Sequence, residues 1–143
     1  MQKHPLAIAS DHAGFELKKL LTDELQRQSL SVDDLGTHSL DSVDYPDYGH
    51  AMAKWIAANP QGKGILICGS GVGVSIAANR HKEVRAALCQ DGLTAQLSRK
   101  HNDANVLCLG SRLIGIETAK DCITQFLNTE FEGGRHAARI AKL

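Results

Sequence analysis

The chain has 143 residues, 43% of them apolar, 22% charged and 4% aromatic, and its formal net charge is zero. That length suits one domain spanning 1–143, which buries about 68–70% of its extended surface, and the composition excludes a disordered chain. Sparse aromatics and balanced charge exclude a nucleic-acid binder that works by base stacking or polyanion attraction.

The charge is nonetheless uneven. Residues 1–60 carry five Lys and Arg against nine Asp and Glu, and residues 61–143 carry eleven against seven. A local positive excess of this size suits a small anion. The N-terminal apolar stretch is too short for a signal peptide, and no run reaches the length of a membrane span. The four cysteines, Cys68, Cys89, Cys108 and Cys122, are never closer than fourteen residues. With no CxxC pair or His/Cys ladder, no metal site is expected, and a cytoplasmic protein with free thiols is.

Taken in order, LAIAS (6–10) reads as a buried strand. Apolar positions Leu17, Leu20, Leu21 and Leu25 then follow helical spacing from Phe15. SVDDLG (31–36) reads as a second strand, followed by a polar loop through Tyr45-Pro46. A helix is predicted over 47–58, ended by Asn59-Pro60-Gln61-Gly62. GILIC (64–68) is the third strand, and a helix runs over 72–79. VRAALC (84–89) and NVLCLG (105–110) are the fourth and fifth strands, with helices over 92–100 and 115–127. A last helical segment follows the double glycine of EGGRHAARIAKL.

Strands alternating with helices of this length imply an α/β fold. The expectation is a doubly wound, Rossmann-like domain: a five-stranded parallel sheet, helices on both faces, and a C-terminal helix. Ligands in such sheets bind beyond the carboxyl ends of the strands. Asp11, His12, Tyr45, Cys68, Ser70, Asp91 and Arg112 all fall in loops there.

The stretch ILICGSGVGVSIAANR (65–80) holds the densest chemistry. Gly69, Gly71 and Gly73 form GxGxG, but the third glycine of a dinucleotide fingerprint would stand at Val74, so the spacing fails even with Asp91 available for a ribose. A Walker lysine is missing, and no GxSxG elbow surrounds Ser70. The loop alone is read either as a tight strand-to-helix turn or as a cradle of backbone N–H groups for an anion. Cys68 tips the reading toward function. A thiol at a helix start is drawn toward thiolate, which would make it a usable base at neutral pH.

Arg135 and Arg139 are four apart and share a helix face, as a phosphate clamp or as a solvated basic tail. His12 ends the first strand and is a ligand candidate. His101 ends a helix, where an imidazolium is also at home without any function. His4, His38, His50, His81 and His136 read as surface residues, with His136 also a candidate neighbour of the phosphate.

With SDHAGFELK, DYPDY, ICGSGVGVSIAANR, AQLSRKHNDANVLCLGSR and FEGGRHAARI in this order and spacing, nearly the whole chain resembles the family of type B ribose-5-phosphate isomerases, which includes galactose-6-phosphate and allose-6-phosphate isomerases. The resemblance implies an aldose–ketose isomerase acting on a phosphorylated sugar with no cofactor. It implies that Cys68 moves a proton from C2 to C1 and that Ser70 moves one between O1 and O2. His101 assists ring opening, with Asp11 as its partner. His12, Arg112, Arg135 and Arg139 hold the phosphate, and Tyr45 and Asn102 touch the sugar. The glycine loop read by itself agrees, since an enediolate needs fixed donors and the amides from Gly69 through Gly71 and Gly73 to Val74 are placed to supply them. One branch of the family has a glutamate base where this chain has Val74, so the role falls to Cys68. The alternatives are a hexose-6-phosphate isomerase and a non-catalytic sugar-phosphate or nucleotide sensor.

The order of elements adds one expectation of its own. His101 lies where a helix returns to a strand, at the sheet edge opposite the glycine loop. It should be out of reach of its own Cys68. A second subunit would then deliver it, making a homodimer, or a tetramer of such dimers, with composite active sites.

Overall fold

The computed structural model describes residues 2–143. Five strands, β1 (Leu6–Ser10), β2 (Asp33–Asp34), β3 (Lys63–Cys68), β4 (Ala86–Leu88) and β5 (Val106–Gly110), form one all-parallel sheet in the order β2-β1-β3-β5-β4. The helices are α1 (Phe15–Arg27), α2 (Tyr45–Ala58), α3 (Val72–Asn79), α4 (Gly92–Asn102), α5 (Ile116–Asn128) and α6 (Arg135–Ile140).

β1, β3 and β5 are buried along their whole length, so they appear in the sequence as near-continuous apolar runs, with Ser10 ending β1 and Lys63 opening β3. Their side chains still alternate between two layers. Ile8, Ile65, Ile67, Leu107 and Leu109 pack with α1, α4 and α5, around Leu21, Leu25, Cys122 and Phe126. Ala7, Ala9, Leu66, Cys68 and Cys108 pack with α2 and α3, around Met52, Ile56 and Val74. Right-handed crossovers in this strand order require that division of the helices. Cys68 therefore points to the α2/α3 side, where the chain enters α3.

The edge strands are shorter than the sequence suggests. β2 keeps only two paired residues of the predicted 31–36, because an edge strand is held on one side alone. Leu35 N–H still donates to Ile8 O at 2.9 Å, and Ser10 N–H to Gly36 O at 2.7 Å, before the chain turns away. At the other edge, β4 spans three residues rather than 84–89. Its outer backbone is covered by a side chain: Ala86 N–H donates to Asn79 Oδ1 at 2.8 Å, and Asn79 Nδ2 to Ala86 O at 3.0 Å. α2 begins at Tyr45, earlier than expected, because Pro46 fits a first helical turn where no N–H is needed.

On α1 the stripe facing the sheet is Leu17, Leu21 and Leu25, and Leu20 points outward at 53% exposure. Lys18, also on α1, is buried and gives its ammonium to both oxygens of Asp34, at 2.6 and 2.7 Å. That pair ties α1 to β2 and satisfies a charge that could not otherwise be buried.

Candidate active site

The strand registers align Ser10 with Ile67 and Cys68 with Gly110, so β1, β3 and β5 end together at one edge. The loops leaving them form the candidate site. Gly71, in the left-handed region at φ 78°, turns the chain from β3 into α3 and directs its N–H at Cys68 Sγ, 3.1 Å away. The next N–H, of Val72, donates to Ser70 Oγ at 3.2 Å. Two amides of the glycine loop thus hold the two side chains expected to move protons.

Side chains close around this turn. The Tyr45 ring lies against Gly73, in space that a Cβ there would occupy. Arg112 lies over Gly69, with Cδ and Nη1 each 3.4 Å from where a Cβ would stand, and its N–H donates to Gly69 O at 2.9 Å. Ser111 joins the loops after β1 and β5, since its N–H bonds Cys68 O at 2.9 Å and its Oγ donates to Ala13 O at 2.8 Å. Asp11 is buried, and its Oδ1 accepts from Gly14 N–H at 3.1 Å. His12 Nδ1 accepts from Val43 N–H at 3.1 Å, which leaves Nε2 as the nitrogen able to donate outward.

Gly71 is the position where this geometry is most sensitive. A Cβ would stand 2.5 Å from Leu88 Cδ1 and 2.9 Å from the Leu109 carbonyl carbon. Gly71→Ala therefore combines a left-handed backbone, costing about 1–2 kcal/mol, with overpacking of about 1–3 kcal/mol. Urea denaturation should show a loss of about 2–5 kcal/mol, and activity should fall beyond that as the amide leaves the sulfur.

The structure does not bring every expected residue to this edge. His101 and Asn102 end α4, a helix of eleven residues running about 16 Å back across the sheet. Arg135 and Arg139 lie on α6, which packs beside that far end of α4. Asp11 and His101 are therefore not partners within one chain. Asp91 is a helix cap: its Oδ1 accepts from Thr94 N–H at 2.7 Å, and that bond holds its carboxyl below the ordinary value. Val74 is fully buried core.

The far edge holds one arrangement the sequence does not announce. His136, read as a surface residue, is buried and stacks on His101, ring centroids 4.5 Å apart and planes 16° apart. Glu132 Oε1 lies 3.4 Å from His136 Nε2 and 4.0 Å from His101 Nε2. Burial, followed by the Arg135 and His101 charges, holds His136 below the usual histidine range. Among the described residues this trio is the one grouping of three potential metal ligands, all within 4.8 Å of one another. An imidazole binds a metal in its ring plane, and two rings stacked face to face offer no such point between them. Val43 is likewise unannounced, because its contribution is a backbone N–H. His136 was hidden by its place in a short polar tail.

Known proteins carry the same chain organisation. The sequence profile described as Ribose/Galactose Isomerase matches residues 6–143. A probable ribose-5-phosphate isomerase B of Mycoplasma pneumoniae is 52% identical over 141 residues, covering 98% of this chain and 93% of that protein. Among solved structures, ribose 5-phosphate isomerase B of Thermotoga maritima is 50% identical with a TM-score of 0.95, covering 98% of this chain and 97% of that one. The Mycoplasma genitalium ribose-5-phosphate isomerase B with bound ribulose-5-phosphate is 44% identical with a TM-score of 0.95, covering 99% and 95%. This chain belongs to the ribose/galactose isomerase family. Its fold is that of these isomerases, and the chain is an aldose–ketose isomerase.

Proposed function

We propose that the chain interconverts ribose 5-phosphate and ribulose 5-phosphate. The observation that carries this reading is the Cys68 sulfur at the end of β3, held 3.1 Å from the Gly71 amide at the start of α3. Cys68, as thiolate, takes the proton from C2 of the open-chain aldose, and the electron pair moves to give an enediolate. The same sulfur returns the proton to C1, while Ser70 carries a proton from O2 to O1. The amino end of α3 faces the developing negative charge, and a donor lost from such a site typically costs about 10²–10³ in turnover. His12 Nε2 and the Arg112 guanidinium take the phosphate, whose remote binding energy fixes the reacting carbons. Tyr45, against Gly73, borders the sugar. No step in this scheme calls on a metal or an organic cofactor.

His101, Asn102, Arg135 and Arg139 enter the scheme from a second copy of the chain. Apolar pairs four residues apart stand exposed on the two helices that flank β4: Val72 and Ile76 on α3, Leu93 and Leu97 on α4. A homodimer burying them would set the far end of one α4 near the glycine loop of the other, with His101 opening the sugar ring and the α6 arginines completing the phosphate clamp. The setting proposed is the cytoplasm, supported by four unpaired thiols.

A panel of five- and six-carbon aldose phosphates, compared by kcat/KM, tests the substrate. Ribose 5-phosphate should exceed allose 6-phosphate and galactose 6-phosphate by at least about tenfold, within what one extra carbon unit can impose on a fitted site. A hexose phosphate turning over faster would overturn the assignment.

A further inference from the structure

At the amino edge of the sheet, opposite Cys68, lies a cavity of about 230 Å³. It sits between α1, α5 and the segment entering β1, with apolar walls from Leu21, Leu25, Ile123 and Leu127. Lys63, the first residue of β3, lines it and is only 4% exposed. Its Nζ donates one long bond, 3.5 Å, to Phe126 O, and stands 5.8 Å from the centre of the Phe126 ring. A buried ammonium carries three donors and ordinarily meets an anion, and among the described residues no carboxylate pairs directly with this one, Glu130 and Asp103 acting only at longer range. A second polar atom of the lining, His4 Nδ1, is buried with no partner among the described residues. The remaining charged lining groups are engaged. Glu24 pairs with Arg27 at 2.9 Å and with Lys120 at 3.9 Å, and Lys3 reaches Glu130 at 4.0 Å.

We infer that this cavity is a binding site for a small carboxylate with a compact apolar body, its oxygens received by Lys63 and the His4 imidazole. The size follows from volume. An apolar cavity of about 150 Å³ holds benzene, so this one takes about nine non-hydrogen atoms. The apolar walls receive the body, and Lys63 with the His4 imidazole receives the charge. A neutral molecule of the same shape leaves Lys63 as it was, and a bare carboxylate leaves the walls empty. The site lies a full strand length from Cys68 and does not depend on the reaction proposed there.

Lys63 also sets a pH dependence. Burial, and then the Arg99 charge, lowers it to about 8, with Lys3 acting in the same direction and Glu130 and Asp103 opposing. Glu24, Lys120 and His4 complete the charged and titratable groups around the cavity. The protonated amine receives the carboxylate, so affinity is full below about pH 8 and is lost as pH rises through that value.

The test titrates the full chain with hexanoate, 1-hexanol and acetate at pH 7 and pH 9, following backbone amide shifts by NMR. Hexanoate should bind saturably at pH 7, shift the amides of Leu25, Ile123 and Leu127, and bind at least about tenfold more tightly than either control, as a charge-assisted bond to a buried group allows. Lys63→Met should remove that advantage. Thr124→Trp, at an exposed position on the rim, should block entry and keeps the test decisive if the buried substitution unfolds the chain. Hexanol binding as tightly as hexanoate, affinity unchanged in a folded variant, or no saturable shift at these amides would overturn the inference.

Discussion

Cys68→Ala is expected to reduce kcat for ribose 5-phosphate by at least about 10³ while leaving substrate affinity largely intact. A positioned acid or base contributes about 10²–10⁴, and removing the sulfur also leaves the Gly71 amide without its acceptor. Affinity should persist because His12 and Arg112 lie on other loops and neither is hydrogen-bonded to the sulfur. A coupled assay gives kcat and KM, and equilibrium binding of ribose 5-phosphate gives affinity directly. Undiminished turnover would remove the cysteine from the mechanism. Retained binding without any turnover in the native chain would instead favour a sensor on this fold.

The same sulfur can be found chemically. Burial pushes Cys89 up to about 12 and Cys122 up to about 11, and raises Cys108 further. Those three remain thiols at pH 8, and a thiol reacts far more slowly than a thiolate. Iodoacetamide should therefore label Cys68 first, with activity lost in proportion and substrate slowing the reaction. Peptide mass spectrometry identifies the modified site. First modification at another cysteine would count against the assignment of the base.

Mixing a Cys68→Ala chain with a His101→Ala chain should restore activity that neither shows alone. Each variant, as a homodimer, lacks one member of both sites. A mixed dimer holds one site with both members present and one with neither, so recovery should approach a quarter of the native rate after random exchange: half the dimers are mixed, and each has one working site. The reason is topological. Cys68 ends β3 at the carboxyl edge, whereas His101 ends α4 at the other, with His136 and Glu132 around it. Exchange can be verified with a mass-tagged chain. No recovery despite proven exchange would mean that His101 serves its own subunit or none.

Much of this fold is legible in the sequence. Buried parallel strands leave near-continuous apolar runs, so β1, β3 and β5 were placed nearly to the residue, and α3 was placed at both ends. The edge strands were overextended, since a half-held strand and a turn have similar compositions. Loops at the carboxyl ends follow from strand order and direction, which is why Asp11, His12, Cys68, Ser70 and Arg112 could be named together. Leu20 shows the limit of periodicity: it fits the spacing, but Leu17, Leu21 and Leu25 take the buried face.

What the chain determined by itself is its alternation of elements and the residue types at each strand end, because both follow from local periodicity and backbone preference. Only the folded arrangement decided which of those residues meet. The Gly71 amide on the Cys68 sulfur, the Val43 amide on His12, the His101–His136 stack and the lysine at the far cavity join segments distant in sequence or positions whose geometry local pattern does not carry. Such contacts are settled by crossovers and packing of the whole sheet, and no window of neighbouring residues encodes them.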